Sequence, residues 1–367
     1  MKAKKDNSNA SPRERAEARL RAAALGAEPG SELGSEVALA KECGVSRMTA
    51  RKAVDSLVAE GLVERRAGVG LFARGEGTAQ RRIVFLAGNL LWEPAIHAAS
   101  AVRNRAASEG ASLEVRDAHG DMEAFVAEVA GLAESGADGA VVFAPHGDRA
   151  DEALRALADK GFRFVVVDQC FDDDSISGVS SDNAAGGALA AGALADAGHS
   201  RVAFLGDLEA DTVRERWEGF RDECGERGMP PPLKYDISTG ERFADWSESV
   251  RHAIGRVCSL RNRPTALFCS CDAVARLAMR SLAERGVAVP GEVSLVGFDD
   301  DPIAEWTSPA LTTVRQDFGA MGEKAFEMLV EKMSSGGAME SARIPVQLVV
   351  RESVVSAMVK NRLTNGK

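Results

Sequence analysis

The chain has 367 residues, 45% of them hydrophobic and 27% charged, the balance of a globular protein with material for two or three domains. Its net charge of −10 argues against nucleic acid as a partner of the chain as a whole. The charge is uneven, however: residues 1–75 hold 14 Lys and Arg against 10 Asp and Glu, and the remainder holds 31 against 45, so only the head is expected to approach a polyanion.

Residues 12–25 read as a helix with Pro12 in its first turn, and Pro29-Gly30 is a break. A short helix is expected at about 35–42, then a tight turn at Cys43-Gly44-Val45. A longer helix follows, with Ser46 as its N-cap and a stop before Gly61. Residues 62–66, 67–70 and 71–74 read as strand, turn and strand, which completes a winged helix over 12–74. The Gly-rich stretch from Gly75 to Thr78 opens a linker over 75–82.

From residue 83 to 356 short apolar runs recur at 83–87, 140–143, 164–167, 202–205, 266–268 and 293–296. Between them lie alanine-rich stretches with helical spacing, at 94–109, 121–135, 149–160, 184–197, 213–227, 244–258 and 272–285. Continuous apolar strands alternating with helices predict parallel sheets covered on both faces. So long a pattern exceeds one core, so two α/β lobes are expected. The fold class is therefore α/β: an N-terminal winged helix-turn-helix plus a two-lobed parallel α/β ligand-binding domain.

In the head, Ala50, Val54, Leu57 and Val58 form the apolar stripe of the second helix of the helix-turn-helix. Ser46, Arg47, Thr49 and Arg51 occupy its first two turns, the end that a recognition helix inserts into the major groove. Arg47 and Arg51 are one turn apart, and their forks suit guanine O6/N7 or phosphate. Arg65-Arg66 ahead of Gly68-Val69-Gly70 would make the wing a second contact, since glycine allows close backbone approach. Two arginines on a helix could equally be a solvated face; their place between a helix-turn-helix break and a Gly-rich hairpin favours DNA.

The run from Cys43 to Ala53, with Leu57, Glu60-Gly61-Leu62, Arg65-Arg66 and Gly68-Val69-Gly70, resembles the GntR family of bacterial repressors. That resemblance puts Arg47, Thr49, Arg51 and Gly68 at DNA-contact positions, and Ser35, Ser46 and Arg66 complete the expected DNA-binding set. The family's usual Leu-Pro-Ser-Glu-Arg stands here as Leu33-Gly34-Ser35-Glu36-Val37, without the proline and the arginine, so a different operator is expected.

In parallel α/β sheets ligands bind beyond the carboxyl ends of the strands. Asn89 and Trp92 follow the first strand, and Asp168, Asp272 and Asp299 follow later ones; Arg216 and Trp246 lie near predicted helix starts. Carboxylates, an arginine and indole faces suit a polyhydroxylated ligand. The body resembles the LacI family effector domain, itself similar to periplasmic sugar-binding proteins. The resemblance lies in Val179 to Gly187 with Ala197-Gly198-His199, in Arg216 to Phe220, and in Pro290 to Asp300 continued by Pro309 to Phe318. It implies effector contacts from Asp168, Arg216, Trp246, Asp272, Asp299, Gln316 and Phe318, to which the strand-end reading adds Trp92. The family's frequent Asn-Asp pair is Cys271-Asp272 here, so the pocket is expected to be retuned. A GntR head on a LacI-type body is similar to the arabinose repressors of Gram-positive bacteria, and no LacI-type hinge helix is expected.

Rival readings have less behind them. Neither a dinucleotide fingerprint nor a P-loop follows a predicted strand, and Gly-x-Ser-x-Gly is missing, so an enzyme is not expected. The five histidines lack metal-ligand spacing, the six cysteines are too sparse for a disulfide framework, and the runs 172–174 and 299–301 read as loop aspartates. No cofactor or metal is therefore expected. No run is long and apolar enough for a membrane span, and the basic, polar start carries no apolar block, so the expected place is the cytoplasm. The reading is a ligand-responsive repressor of carbohydrate-utilisation genes, with operator DNA, a small sugar-like effector and a second copy of itself as partners. A nucleoside or other metabolite as effector is the alternative.

Overall fold

The computed structural model describes residues 11–28, 30–59, 61–66, 69–73, 81–171, 175–238, 246–335 and 340–357. The chain divides into a head up to Arg81 and, residues 110–112 apart, a body from Arg82 onward.

In the head, α1 (Pro12–Leu25) opens on a reciprocal cap. Ser11 Oγ accepts the Glu14 amide at 3.2 Å, and the Glu14 carboxylate accepts the Ser11 amide at 2.6 Å. After β1 (Glu32–Gly34), α2 (Glu36–Cys43) is capped by Ser35, whose Oγ accepts the Ala38 amide. Gly44 ends it at φ +61°, a left-handed turn that glycine takes without a Cβ clash. The chain then enters α3 (Arg47–Ala59) at once. Ala50, Val54 and Leu57 of α3 meet Leu20 and Leu39 of the other helices in one core, closed by Val63 and Leu71. Those last two belong to β2 (Val63–Arg66) and β3 (Gly70–Ala73), which form an antiparallel sheet with β1 in the order β1-β3-β2. The predicted wing turn falls partly on residues 67–68, and the predicted linker mostly on 74–80; both lie outside the described residues.

The first lobe of the body runs β4 (Arg82–Ala87), α4 (Glu93–Ser108), β5 (Ser112–Asp117), α5 (Met122–Gly131), β6 (Gly139–Phe143), α6 (Asp148–Asp159), β7 (Phe164–Val167) and β8 (Ser177–Ser181). The second follows as α7 (Asn183–Asp196), β9 (Val202–Gly206), α8 (Asp211–Glu226), β10 (Leu233–Asp236), α9 (Ser247–Ser259), β11 (Ala266–Cys269), α10 (Asp272–Ala283), β12 (Ser294–Asp299) and β13 (Thr312–Arg315). The chain then returns to the first lobe through α11 (Phe318–Ser335) and β14 (Ala342–Ile344), and ends in the second with β15 (Gln347–Val349). Among the described residues the sheet orders are β14-β8-β7-β6-β4-β5 and β10-β9-β11-β12-β13-β15. The central pairs are parallel, and β15 runs antiparallel to β13.

Both faces of the second sheet are covered, which is why its strands read as unbroken apolar runs. In β9, Ala203 and Leu205 enter one core while Val202 and Phe204 enter the other, as the two-residue period of a strand requires. Three crossings, at 181–183, 315–318 and 344–347, join the lobes, so the seam between them is bridged by short chain segments. No helix among the described residues is long and apolar enough to cross a membrane.

Helices α7 and α8 approach at two glycines. A Cβ on Gly187 would fall on the Arg216 carbonyl, and one on Gly219 on the Ala184 carbonyl. Gly225, in the same helix, has nothing within 4 Å of such an atom. Gly219→Ala should therefore destabilise the protein by about 1–3 kcal/mol, the usual cost of overpacking. Gly225→Ala should stabilise it by about 0.5–1 kcal/mol, because alanine is the better helix former. Urea unfolding of the two variants should give opposite signs.

Candidate functional site

The first turns of α3 present one face of the head. Ser46 Oγ accepts the Thr49 amide at 3.1 Å and lies 2.8 Å from Thr49 Oγ1, so both hydroxyls serve the helix start. Arg47 and Arg51 are exposed, and among the described residues neither has an ion-pair partner. Met48, between them in sequence, is 68% exposed. The other arginines differ. Arg65 bridges Glu36 and Asp55 at 2.7 Å each, while Arg66 is held by Glu64 and lies 4.2 Å above the Phe72 ring. Ser35 is exposed and occupied as the cap of α2. Gly68 lies outside the described residues.

In the body a cavity of about 480 Å³ opens between the lobes. Trp92, ahead of α4, and Phe318, the first residue of α11, come from the first lobe, together with Asp168 beyond β7. The second lobe supplies Arg216 from α8, Trp246 ahead of α9 and Asp299 at the end of β12, and Gln316 follows β13. Asp168 and Asp299 hold φ of +65° and +110°, left-handed values that few residues with a Cβ adopt and that mark sites where backbone strain is tolerated.

Arg216 is 4% exposed and organises the floor. Its Nε donates to Asn183 Oδ1 at 2.8 Å, its Nη1 donates to the Ser270 carbonyl at 2.6 Å and lies 3.8 Å from Asp299, and its guanidinium sits 3.8 Å above the Phe298 ring. Gln316 Nε2 donates to Asp299 Oδ1 at 2.6 Å. Burial raises the Asp299 carboxyl well above its ordinary range, an effect that Arg216 opposes and Asp272 reinforces. Burial likewise pushes Asp168 up to about 6, again against the pull of Arg216. Three buried atoms of residues that line this cavity have no hydrogen-bond partner among the described residues: Asp168 Oδ1, Gln316 Oε1 and Arg276 Nε.

Asp272 stands apart from the other predicted effector residues. It is fully buried behind the cavity wall, where its carboxylate accepts the Thr313 hydroxyl at 2.6 Å and the Asp301 amide at 2.9 Å. It thereby fixes the loop that carries Asp299 and Asp301. Sequence reasoning missed Asn183, Ser270 and Arg276. For Asn183 the available signal was its place directly after a strand and at a helix start; Ser270 follows an ordinary strand end and Arg276 lies inside α10.

Residues 12–72 match the model of the bacterial regulatory proteins of the gntR family, and residues 191–354 match the periplasmic binding protein-like domain. The HTH-type transcriptional repressor PurR of Yersinia pestis bv. Antiqua (strain Antiqua) is 31% identical over 258 residues, 69% of this chain and 74% of that one. The chain belongs to the LacI-type transcriptional regulators. Its head is of the GntR type, so two regulator families meet in one polypeptide.

Solved LacI-type structures share the fold of the body. A LacI family transcriptional regulator from Enterococcus faecium with bound ribose superposes with a TM-score of 0.62 at 22% identity, covering 75% of this chain and 99% of that one. A putative ribose operon repressor from Burkholderia thailandensis gives 0.65 at 24% identity, with coverage of 74% and 99%. The lac repressor dimer bound to operator gives 0.63 at 23%, with coverage of 76% and 96%.

The raised carboxyl of Asp168 has a stability consequence. Between pH 4 and 6 the folded chain keeps a proton there that the unfolded chain has released, so stability falls as pH rises through that window and the deficit persists above it. Asp168→Asn removes the ionisation. Without ligand, the variant should gain on the parent by about 2–3 kcal/mol between pH 4 and 7, measured by urea unfolding at several pH values. Parallel pH profiles would show that Asp168 is solvated like an ordinary aspartate.

Proposed function

We propose that this regulator is a repressor of carbohydrate-utilisation genes, a homodimer in the cytoplasm whose hold on its operator is set by a small sugar-like effector in the interlobe cavity. The observation that carries the effector reading is the set of three buried polar atoms without a partner among the described residues, Asp168 Oδ1, Gln316 Oε1 and Arg276 Nε, all on residues that line one cavity. Buried polar atoms cost free energy until something bonds them, and a polyhydroxylated ligand supplies both donors and acceptors. Trp92, Trp246 and Phe318 would cover the apolar faces of its ring. Ribose in the Enterococcus faecium protein is support by analogy of fold.

In this reading Arg47 and Arg51 read the operator, Ser46 and Thr49 hold the helix start against the phosphates, and Ser35, Arg66 and Gly68 are further DNA contacts. Exposed cations without protein partners are available to phosphates and guanines at little desolvation cost, whereas the engaged Arg65 is not. Closure of the lobes on the effector would alter the relation between two heads that must meet half-sites about 34 Å apart, or a multiple of it.

Two measurements test this. Arg47→Ala or Arg51→Ala should weaken binding to a selected operator by about 1–3 kcal/mol while leaving effector binding intact; unchanged DNA affinity would remove α3 from the groove. A thermal-shift screen against pentoses, hexoses, disaccharides and nucleosides should yield a stabilising ligand that Arg216→Ala no longer binds. At 100-fold excess over its Kd the ligand should add about 2.7 kcal/mol. A nucleoside hit would replace the sugar, and a hit indifferent to Arg216 would move the site elsewhere.

A further inference from the structure

The polar inventory of the interlobe cavity is lopsided. Two of its three unpartnered buried atoms, Asp168 Oδ1 and Gln316 Oε1, are acceptors; the third, Arg276 Nε, is a donor. Gln316 is 6% exposed, and the bond from its Nε2 to the Asp299 carboxylate fixes the amide, so the oxygen is what remains for a ligand. Charge tilts the same way. Glu93, Asp168, Asp207, Glu209, Asp299 and Asp301 line the cavity against Arg216, Arg276 and the imidazole of His146. Arg216 is committed to Asn183, Ser270 and Asp299, so an entering phosphate or carboxylate would meet more carboxylates than available cations. Aromatic faces from Trp92, Trp246, Phe143 and Phe318 complete the walls, and such faces attract cations.

We propose that the cavity takes an unphosphorylated, amine-bearing polyol, in chemical class an amino sugar. Its ammonium and hydroxyl groups donate to Asp168 Oδ1 and Gln316 Oε1, and one hydroxyl accepts from Arg276 Nε. This rests on the reading of the cavity as the effector site and narrows it. Burial raises the carboxyls of Asp168, Asp299 and Asp301 despite the pull of Arg216 and Arg276, and a bound ammonium would add countercharge. Amine binding near pH 6 should therefore release protons, because the carboxylates ionise as the cation arrives. A neutral parent sugar should not release them.

The test is calorimetry on the full chain with matched triplets: glucose, glucosamine and glucose 6-phosphate, and the corresponding galactose and mannose compounds. In at least one triplet the amine should bind at least about tenfold more tightly than the neutral parent, and the phosphate ester more weakly than either. Repeating the titration at pH 6 in two buffers of different ionisation enthalpy should show proton release for the amine alone. Asp168→Asn should remove the advantage of the amine over the parent. A parent sugar or a phosphate ester that binds as tightly as the amine overturns the inference while leaving the effector site standing. Silence from every compound overturns the inference, and the wider screen of pentoses and disaccharides then decides the sugar reading.

Discussion

A buried guanidinium is the constraint around which the body is arranged. Moving a cation out of water costs several kcal/mol even after relaxation, unless carboxylates, carbonyls and ring faces take over its hydration. Arg216 meets that demand with four groups from three elements: Asn183 at the head of α7, Ser270 beyond β11, Asp299 closing β12 and the Phe298 ring within it. Because the partners are distant in sequence, the arginine is satisfied only once the second lobe is assembled and its strand ends are in register. The strained backbone of Asp299 fits this picture, since its carboxylate is held by Gln316 and faces the arginine.

The same network reaches across the seam. Asn183 also donates to Glu215, and Glu215 is clamped bidentately, at 2.7 Å to each nitrogen, by Arg343 of β14 in the first lobe. Arg216 is thus one side chain removed from a charge pair that spans the lobes, close to the crossing at 181–183. A ligand that changes how Arg216 is held would act directly on the contacts that relate the lobes. Such contacts are the physical means by which occupancy of a cavity becomes a change of domain geometry.

Much of this was legible in the sequence for identifiable reasons. The helix-turn-helix is marked by local chemistry alone: Ser35 and Ser46 as caps and Gly44 as the left-handed turn. Strands β4, β6, β7, β9, β11 and β12 are apolar on both faces and therefore appear as runs. Strand β8, Ser-Gly-Val-Ser-Ser, was invisible by that rule, because its serines are buried by hydrogen bonding and close packing rather than by hydrophobicity. Edge strands β5 and β10 have exposed residues and no run at all. Helix α11 escaped because it follows the last apolar strand, where the alternating rhythm had already stopped. In the site, strand-end position located the cavity residues but could not separate Asp272 from its neighbours. That it faces Thr313 and the Asp301 amide, and not the cavity, depends on the fold of a loop.

The central claim is that occupancy of the interlobe cavity and operator binding by the head share one free energy of coupling. The most direct measurement is the linkage itself: operator affinity by fluorescence anisotropy with and without saturating effector, and effector affinity by calorimetry with and without operator. Both affinities should change by the same factor, of the order of 5–150-fold, because coupling between two sites is reciprocal. Operator affinity that is identical at zero and saturating effector would contradict the claim, leaving a DNA-binding head and a ligand-binding body that do not communicate.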